Sequence, residues 1–309
     1  MPTQRNRHAR STRLPRSQRL STRMGGPRVQ NAHWSTNEHL PRVVAIAIVC
    51  ILAFLVAGFA FRACTQEEVE EPLTPQPFYN HALFIRNGQF YEYMDGDLIA
   101  NKTGVDVSDH QEWIDWEAVR ASGVKFAYIR IGYRGSTEGE LYADAYYEYN
   151  LQATKDAGVE RGVYFFSQAI TVEEAREEAE FVLQLLNKTP LEYPVAFDSE
   201  MAAEGIQSRV AGLTQEESSA VAQAFCETIQ AGGYDVILYG NGHDLGRYSS
   251  DLLERYPVWY AEYGALPAYT QKYVLWQYAS QGQINGIGSP VDLNLDLGPA
   301  LEARESSTS

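Results

Sequence analysis

Residues 193–200 read YPVAFDSE, an apolar run that closes on two carboxylates one residue apart. On a β-strand successive side chains point to opposite faces. Asp198 and Glu200 therefore share a face, with Cα atoms roughly 6.5 Å apart, while Phe197 and Ser199 face the other way. Two carboxylates this close repel, so one can be held protonated by the other. An acid catalyst of glycoside cleavage needs that arrangement. A solvated strand end without chemistry is the alternative reading of the same residues.

Other chemistries find little support. The six histidines are His8, His33, His39, His81, His110 and His243, and none pairs at a metal-ligand spacing such as His-Glu-x-x-His. There is no Gly-x-Ser-x-Gly elbow and no Walker loop. Gly240, Gly242 and Gly246 lack the dinucleotide-binding spacing, and 240–242 reads as a tight turn. No metal or organic cofactor is expected.

The elements that must position these acids are legible from Gly104 onward, where strand-like and helix-like segments alternate. Strands are expected at 104–108, 126–133, 161–167, 194–200 and 236–241. Helices are expected at 115–122, 142–157, 171–187 and 214–231. Gly123, Gly158 and Gly232 sit where helix C-caps belong, and Thr171 with Glu174 and Thr214 with Glu217 fit capping boxes. A short helix (243–254) follows, then three closely spaced strands at 258–263, 273–279 and 291–296. Five strand–helix units and three trailing strands make eight strands, the number that closes an α/β barrel. An open doubly wound sheet is the rival.

In such a barrel the site lies at the C-terminal strand ends. Those ends bring Asp106, Asp198, Glu200 and Asp292 to one mouth, where mutual repulsion raises the pKa of the least solvated group. Aromatic residues accompany them: Tyr133, Tyr164, Phe166, Tyr239, Trp259, Tyr260, Tyr263, Trp276 and Tyr278. Aromatic faces stack on sugar C–H surfaces and carboxylates bind hydroxyls, so the cleft suits a carbohydrate. Tyr133, Tyr164, Phe166, Tyr239, Tyr260 and Trp276 are the candidates to line it. Core packing is the alternative for each.

The chain has 309 residues and a formal charge of −15. Residues 43–61 carry no charge over 19 residues, roughly 28 Å of helix, and 43–62 is expected to span a membrane. A core helix, a cleaved signal sequence and lipidation of Cys64 are the weaker readings. Residues 1–42 hold nine arginines, no lysine and one acid, Glu38; they are expected to form a disordered arm kept in the cytoplasm, with the barrel outside the cell. Contact of the arm with anionic lipid or nucleic acid is a lesser alternative. Residues 63–309 carry 15 basic against 39 acidic side chains, which disfavours nucleic acid. The three cysteines, Cys50, Cys64 and Cys226, form no disulfide framework, and Cys226 reads as a small buried apolar residue. The remaining divisions are an acidic, Pro-containing linker (63–78), a hairpin around Asp95, Gly96 and Asp97 packed on the barrel (79–103), the barrel itself (104–300) and a tail (301–309). A monomer is expected.

An ordered set of short segments resembles glycoside hydrolase family 25, the lysozyme-type muramidases. They are GVDVS at 104–108 with His110 and Gln111, IDW at 114–116, FAYIR at 126–130, GVYFF at 162–166, FDSE at 197–200, WYAEY at 259–263, WQY at 276–278 and VDLN at 291–294. Phe165 and Tyr260 depart from the His and Ile usual at those places. The resemblance implies an irregular (β/α)5β3 barrel, in accord with the strand count. It also implies hydrolysis of the β-1,4 bond between N-acetylmuramic acid and N-acetylglucosamine in peptidoglycan glycan strands. Glu200, whose longer side chain reaches a glycosidic oxygen and whose acidic neighbours keep it protonated, is expected to be the general acid; Asp198 is expected to stay ionised and face the reacting sugar, and Asp106 and Asp292 to position and to supply electrostatics. The substrate's own 2-acetamido group is the favoured nucleophile; direct attack by Asp106 or Asp198 stays open. A non-catalytic glycan-binding barrel, a hydrolase of chitin and a membrane scaffold worked by the basic arm are the competing functions.

Overall fold

The computed structural model describes residues 40–64, 75–201 and 208–307, in two units, Met1–Leu73 and Thr74–Ser309. In the first unit Leu40–Cys64 is one helix, α1, with Pro41 at its first turn, where a missing N–H costs nothing. Its side chains are described over 44–56, and they are exposed and apolar, Phe54 at 80%. Among the described residues no helix is long and apolar enough to cross a membrane. The arm up to residue 39 and the linker over 65–74 lie outside the described residues.

The second unit opens on a small antiparallel sheet rather than the single hairpin expected: β1 (Phe84–Asn87), β2 (Phe90–Asp95) and β3 (Leu98–Ile99). Two-residue turns join them, with Gly88 (φ 65°) and Gly96 (φ 59°) taking the left-handed conformation those turns require. Tyr79, Phe84 and Tyr93 bury their rings against one another and against Tyr273 and Trp276. That aromatic block fastens the sheet to the body behind it.

The body runs β4 (Lys102–Val107), α2 (Trp116–Ala121), β5 (Phe126–Arg134), β6 (Leu141–Ala143), α3 (Tyr147–Ala157), β7 (Glu160–Phe166), α4 (Val172–Leu186), β8 (Val195–Asp198), α5 (Gln215–Ala231), β9 (Val236–Asn241), α6 (Gly242–Leu245), α7 (Ser250–Arg255), β10 (Val258–Ala261), β11 (Leu275–Gly282), β12 (Val291–Asp296) and α8 (Gly298–Ser307). Eight strands close on themselves through the β4–β5 pair, and β6 is an extra strand on the edge of β5. The barrel is therefore closed, and the open sheet is excluded. Seven barrel strands are parallel; β12 runs antiparallel to both neighbours, β11 and β4.

Local chemistry places the helices close to their expected positions. Thr214 and Glu217 form a complete capping box on α5. Thr171 caps α4 through the Glu174 N–H, but the Glu174 carboxylate turns to the N–H of Ile170, so that box is half made. Gly158 ends α3 in the left-handed conformation, whereas Gly232 stays right-handed and its neighbour Gly233 (φ 90°) makes the turn. Two expected helices are divided: 142–157 begins with β6, and 243–254 splits into α6 and α7. Residues from 301 on, expected as a tail, continue α8.

Alternation along each strand sorts the core into two layers. Phe126, Tyr128, Ala196, Ile237, Tyr239 and Trp259 fill the barrel; Val105, Ile129, Val163, Phe165 and Phe197 face the helices. Gly104 and Gly162 make room for the inner aromatic rings. A Cβ on Gly104 would come within 2.4 Å of the Phe126 ring, and one on Gly162 within 2.6 Å of the Tyr128 ring. This packed floor leaves the C-terminal end of the barrel as its open end.

Candidate active site

At that end lies a cavity of about 240 Å³. Asp106, Asp198, Glu200 and Asp292 all line it, with Tyr164, Tyr239, Trp259, Tyr263, Gln277 and Ser280. Asp106 and Asp198 lie inward at the ends of β4 and β8. Asp292 arrives differently from the expectation: because β12 is antiparallel, its N-terminal end reaches the mouth, opposite Asp106 in register. Glu200 also differs. The strand stops at Asp198, so Glu200 stands in coil two residues beyond it, and strand alternation does not fix it.

Three side chains hold the coil instead. Arg247 donates from Nη2 to the Ser199 carbonyl. Gln168 donates from Nε2 to the Glu200 carbonyl at 3.1 Å. The Asp244 carboxylate accepts the Met201 N–H, and Asn241 Nδ2 braces that carboxylate at 2.6 Å. Sequence reasoning missed this set. The turn at 240–242 was read as structure only, yet it follows a barrel strand at its C-terminal end, where functional residues collect.

A second network surrounds Asp106. Its Oδ2 accepts hydrogen bonds from Asn294 Nδ2 (2.7 Å) and Gln277 Nε2 (2.8 Å). Asn294 in turn accepts from the Trp259 indole at 2.9 Å, and the Gln277 oxygen accepts from the hydroxyls of Tyr239 (2.7 Å) and Tyr263. Asp106, Asn294, Gln277, Trp259, Tyr239 and Tyr263 are thus linked by side-chain hydrogen bonds, which fixes the cavity wall. Asp198 differs: it is only 4% exposed, and its Oδ1 has no hydrogen-bond partner among the described residues.

Electrostatics follow from burial. Burial, then repulsion from Asp244 and Asp106, pushes Glu200 up to about 7, with the Arg247 charge pulling the other way. Burial and the charges of Glu200, Asp106 and Asp244 drive Asp198 well above the usual carboxylate range, moderated by Arg130. Burial and the Asp106 charge push Asp292 to about 9. Asp292 therefore carries a proton at neutral pH and donates it in a hydrogen bond to Asp106. The Glu200 charge is among the causes that raise Asp198, so ionisation of one disfavours ionisation of the other.

The aromatic expectations divide. Tyr164 and Tyr239 line the cavity. Tyr133 and Phe166 lie paired on neighbouring strands and outside its lining; Tyr133 stacks on Tyr142 at 5.3 Å under the Arg130 guanidinium. Tyr260 and Trp276 do not reach the cleft. Each stands one residue from an inward side chain, Trp259 and Gln277, so alternation turns it outward. Tyr260 stacks on Tyr269 at 4.5 Å, and Trp276 packs on Phe84 and Tyr91. Trp259, Tyr263 and Gln277 take the places they were expected to fill. Among the described residues no cluster of three or more His, Cys, Asp or Glu is arranged to hold a metal ion.

A closed (β/α)5β3 barrel with a carboxylate-lined cavity at its strand ends has the architecture of a glycoside hydrolase. Residues 105–287 match the glycosyl hydrolases family 25, and the chain belongs to that family. It is 28% identical over 192 residues to the autolytic lysozyme of Clostridium acetobutylicum, covering 62% of this chain and 54% of that one, so it spans about half the length of that relative. It is 25% identical over 208 residues to lysozyme M1 of Streptomyces globisporus, covering 64% and 68%. The fold is shared with the modular autolysin LytC of Streptococcus pneumoniae in complex with a synthetic peptidoglycan ligand (TM-score 0.59, 22% identity, 69% of this chain and 51% of that one). It is shared also with a bacterial lysozyme from Streptomyces coelicolor (TM-score 0.53, 23% identity, 65% and 94%).

Proposed function

We propose that this protein is a membrane-anchored peptidoglycan hydrolase that cuts the β-1,4 bond between N-acetylmuramic acid and N-acetylglucosamine at the outer surface of the cell. The observation that carries the reading is the convergence of Glu200, raised to about 7, with the buried Asp198 in one acid-lined cavity of a family 25 barrel. The lysozyme names of the relatives and the peptidoglycan ligand of LytC support the substrate class. The uncharged stretch 43–61 behind an arginine-rich arm supports the anchor.

The orphan oxygen of Asp198 suggests the order of events. A sugar's 2-acetamido N–H donated to Oδ1 supplies a hydrogen bond that no described residue gives that oxygen. That bond favours the ionised form of Asp198, while Glu200, raised to about 7, keeps its proton. Glu200 then protonates the glycosidic oxygen as the acetamido oxygen attacks the anomeric carbon from the other side. Asp198 stabilises the positively charged ring that forms, and water opens it with Glu200 acting as base. Asp106 and the protonated Asp292 hold the surrounding charge fixed.

Glu200→Gln keeps the shape and removes the proton donor. It is expected to reduce release of reducing ends from purified peptidoglycan by about a thousandfold or more, with an unchanged melting transition. Activity near that of the wild type would remove Glu200 from this role. Mass spectrometry of the products identifies the bond, because N-acetylmuramic acid at the new reducing end marks a muramidase. Parallel digestion of chitin tests whether the acetamido group alone is enough.

A further inference from the structure

Beside the catalytic cavity lies a second one of about 340 Å³, and the two share Tyr263 and Ser280. Its far wall comes from the β1–β2 hairpin, through Arg86, Gln89 and Tyr91. This hairpin precedes the family-matched residues 105–287. The wall is rigidly built. Gln89 donates to the Gln283 carbonyl at 2.7 Å and accepts its N–H at 3.0 Å, which ties the hairpin turn to the barrel. Tyr91 is wedged against Trp276 and Tyr278, with ring centroids 5.0 and 5.3 Å away.

Arg86 lies directly across the ladder from Tyr91, with its guanidinium 5.7 Å from that ring's centre. Its Nε donates to the Gly88 carbonyl at 3.1 Å. Nη1 and Nη2 have no hydrogen-bond partner among the described residues. Among the residues lining the two cavities Arg86 is the one cation, and the other cavity holds four carboxyl groups. A neutral glycan gives such a guanidinium nothing to neutralise. An anion on the substrate is repelled from the acids and meets a planar, pre-oriented fork here.

We infer that this hairpin adds a subsite to the cleft, in which Arg86 receives a carboxylate of the peptide carried by a peptidoglycan glycan strand. The inference rests on the peptidoglycan reading above and deepens it: the cleft selects peptide-bearing strands over bare ones. The test uses the full-length chain in mild detergent. The substrates are glycan strands freed of phosphate-bearing polymers, either with their peptides or stripped of them by an amidase. Arg86→Gln is expected to raise KM about three- to tenfold on peptide-bearing strands at unchanged kcat, and to leave both constants unchanged on stripped strands. Arg86→Lys, which keeps the charge but not the planar fork, is expected to recover only part of the loss. High salt is expected to erase the preference for peptide-bearing strands in the wild type only. An equal loss on both substrates, or no loss on either, overturns the subsite. So does an effect seen only on walls that retain their phosphate-bearing polymers. If the wild type cuts neither substrate, the peptidoglycan reading falls instead.

Discussion

Asp106 is buried among polar partners. Two amides, from Gln277 and Asn294, and the proton of Asp292 meet it, and burial still leaves its pKa above the ordinary carboxylate value. That fixed charge is felt by Glu200, which burial and then the charges of Asp244 and Asp106 hold at about 7. The sign for catalysis is direct. A general acid works while protonated, so its contribution is present below about pH 7 and is lost as the pH rises through that value. The pH profile of kcat/KM on peptidoglycan is therefore expected to fall on its alkaline side near 7. Asp106→Asn removes one repelling charge and is expected to move that limb down by about one pH unit, besides lowering the rate. A limb already at an ordinary carboxyl value, or unmoved in the variant, would show that the proton is held by some other means.

The element that carries Glu200 is not a strand, and this changes which residues matter. β8 delivers Asp198, and then Arg247, Asp244 and Gln168 hold three successive backbone groups of the coil that follows. Arg247 also lowers the pKa of Glu200 through its charge. Arg247→Met is thus expected to reduce kcat about ten- to a hundredfold with little change in KM, and to shift the alkaline limb upward. A loss of stability with an unmoved limb would make Arg247 a purely structural brace. The same coil marks where the sequence stopped being readable. The eight strands, most of the helices and the Thr214–Glu217 cap were legible, because alternation and capping are local patterns that act over a few residues. Trp276 and Tyr260 were misplaced because an aromatic on a barrel strand is apolar on either face. Only the register of the closed barrel turns Trp259 inward and its neighbour Tyr260 outward. Asp244 and Arg247 were missed because their partners lie more than forty residues away along the chain. The antiparallel β12 was equally hidden, since strand direction leaves no mark on composition, yet it decides which end of β12 reaches Asp106.

Across the whole molecule, charge is divided along the chain. Nine arginines precede the apolar stretch 43–61, and residues 63–309 carry 39 acidic side chains against 15 basic ones. A domain of that sign is repelled over a Debye length by an anionic cell wall, and the acid-lined cleft adds to the repulsion. Free in solution, it approaches its proposed substrate poorly. The proposed anchor would hold it at high local concentration beneath the wall, so that attachment replaces affinity. Deleting residues 1–62 is therefore expected to move the protein from the membrane pellet to the soluble fraction. The deletion is expected to leave kcat on short soluble glycan fragments unchanged. On whole walls the freed domain is expected to gain activity as salt rises from about 10 to 150 mM, where screening shortens the Debye length from about 30 to 8 Å. The full chain seated in its membrane should change little over that range, because diffusion to the wall no longer limits it. Full-length protein recovered in the soluble fraction would sink the anchor. A freed domain whose activity on whole walls falls with salt would show that attraction, not repulsion, governs its approach, and the tether would need another reason.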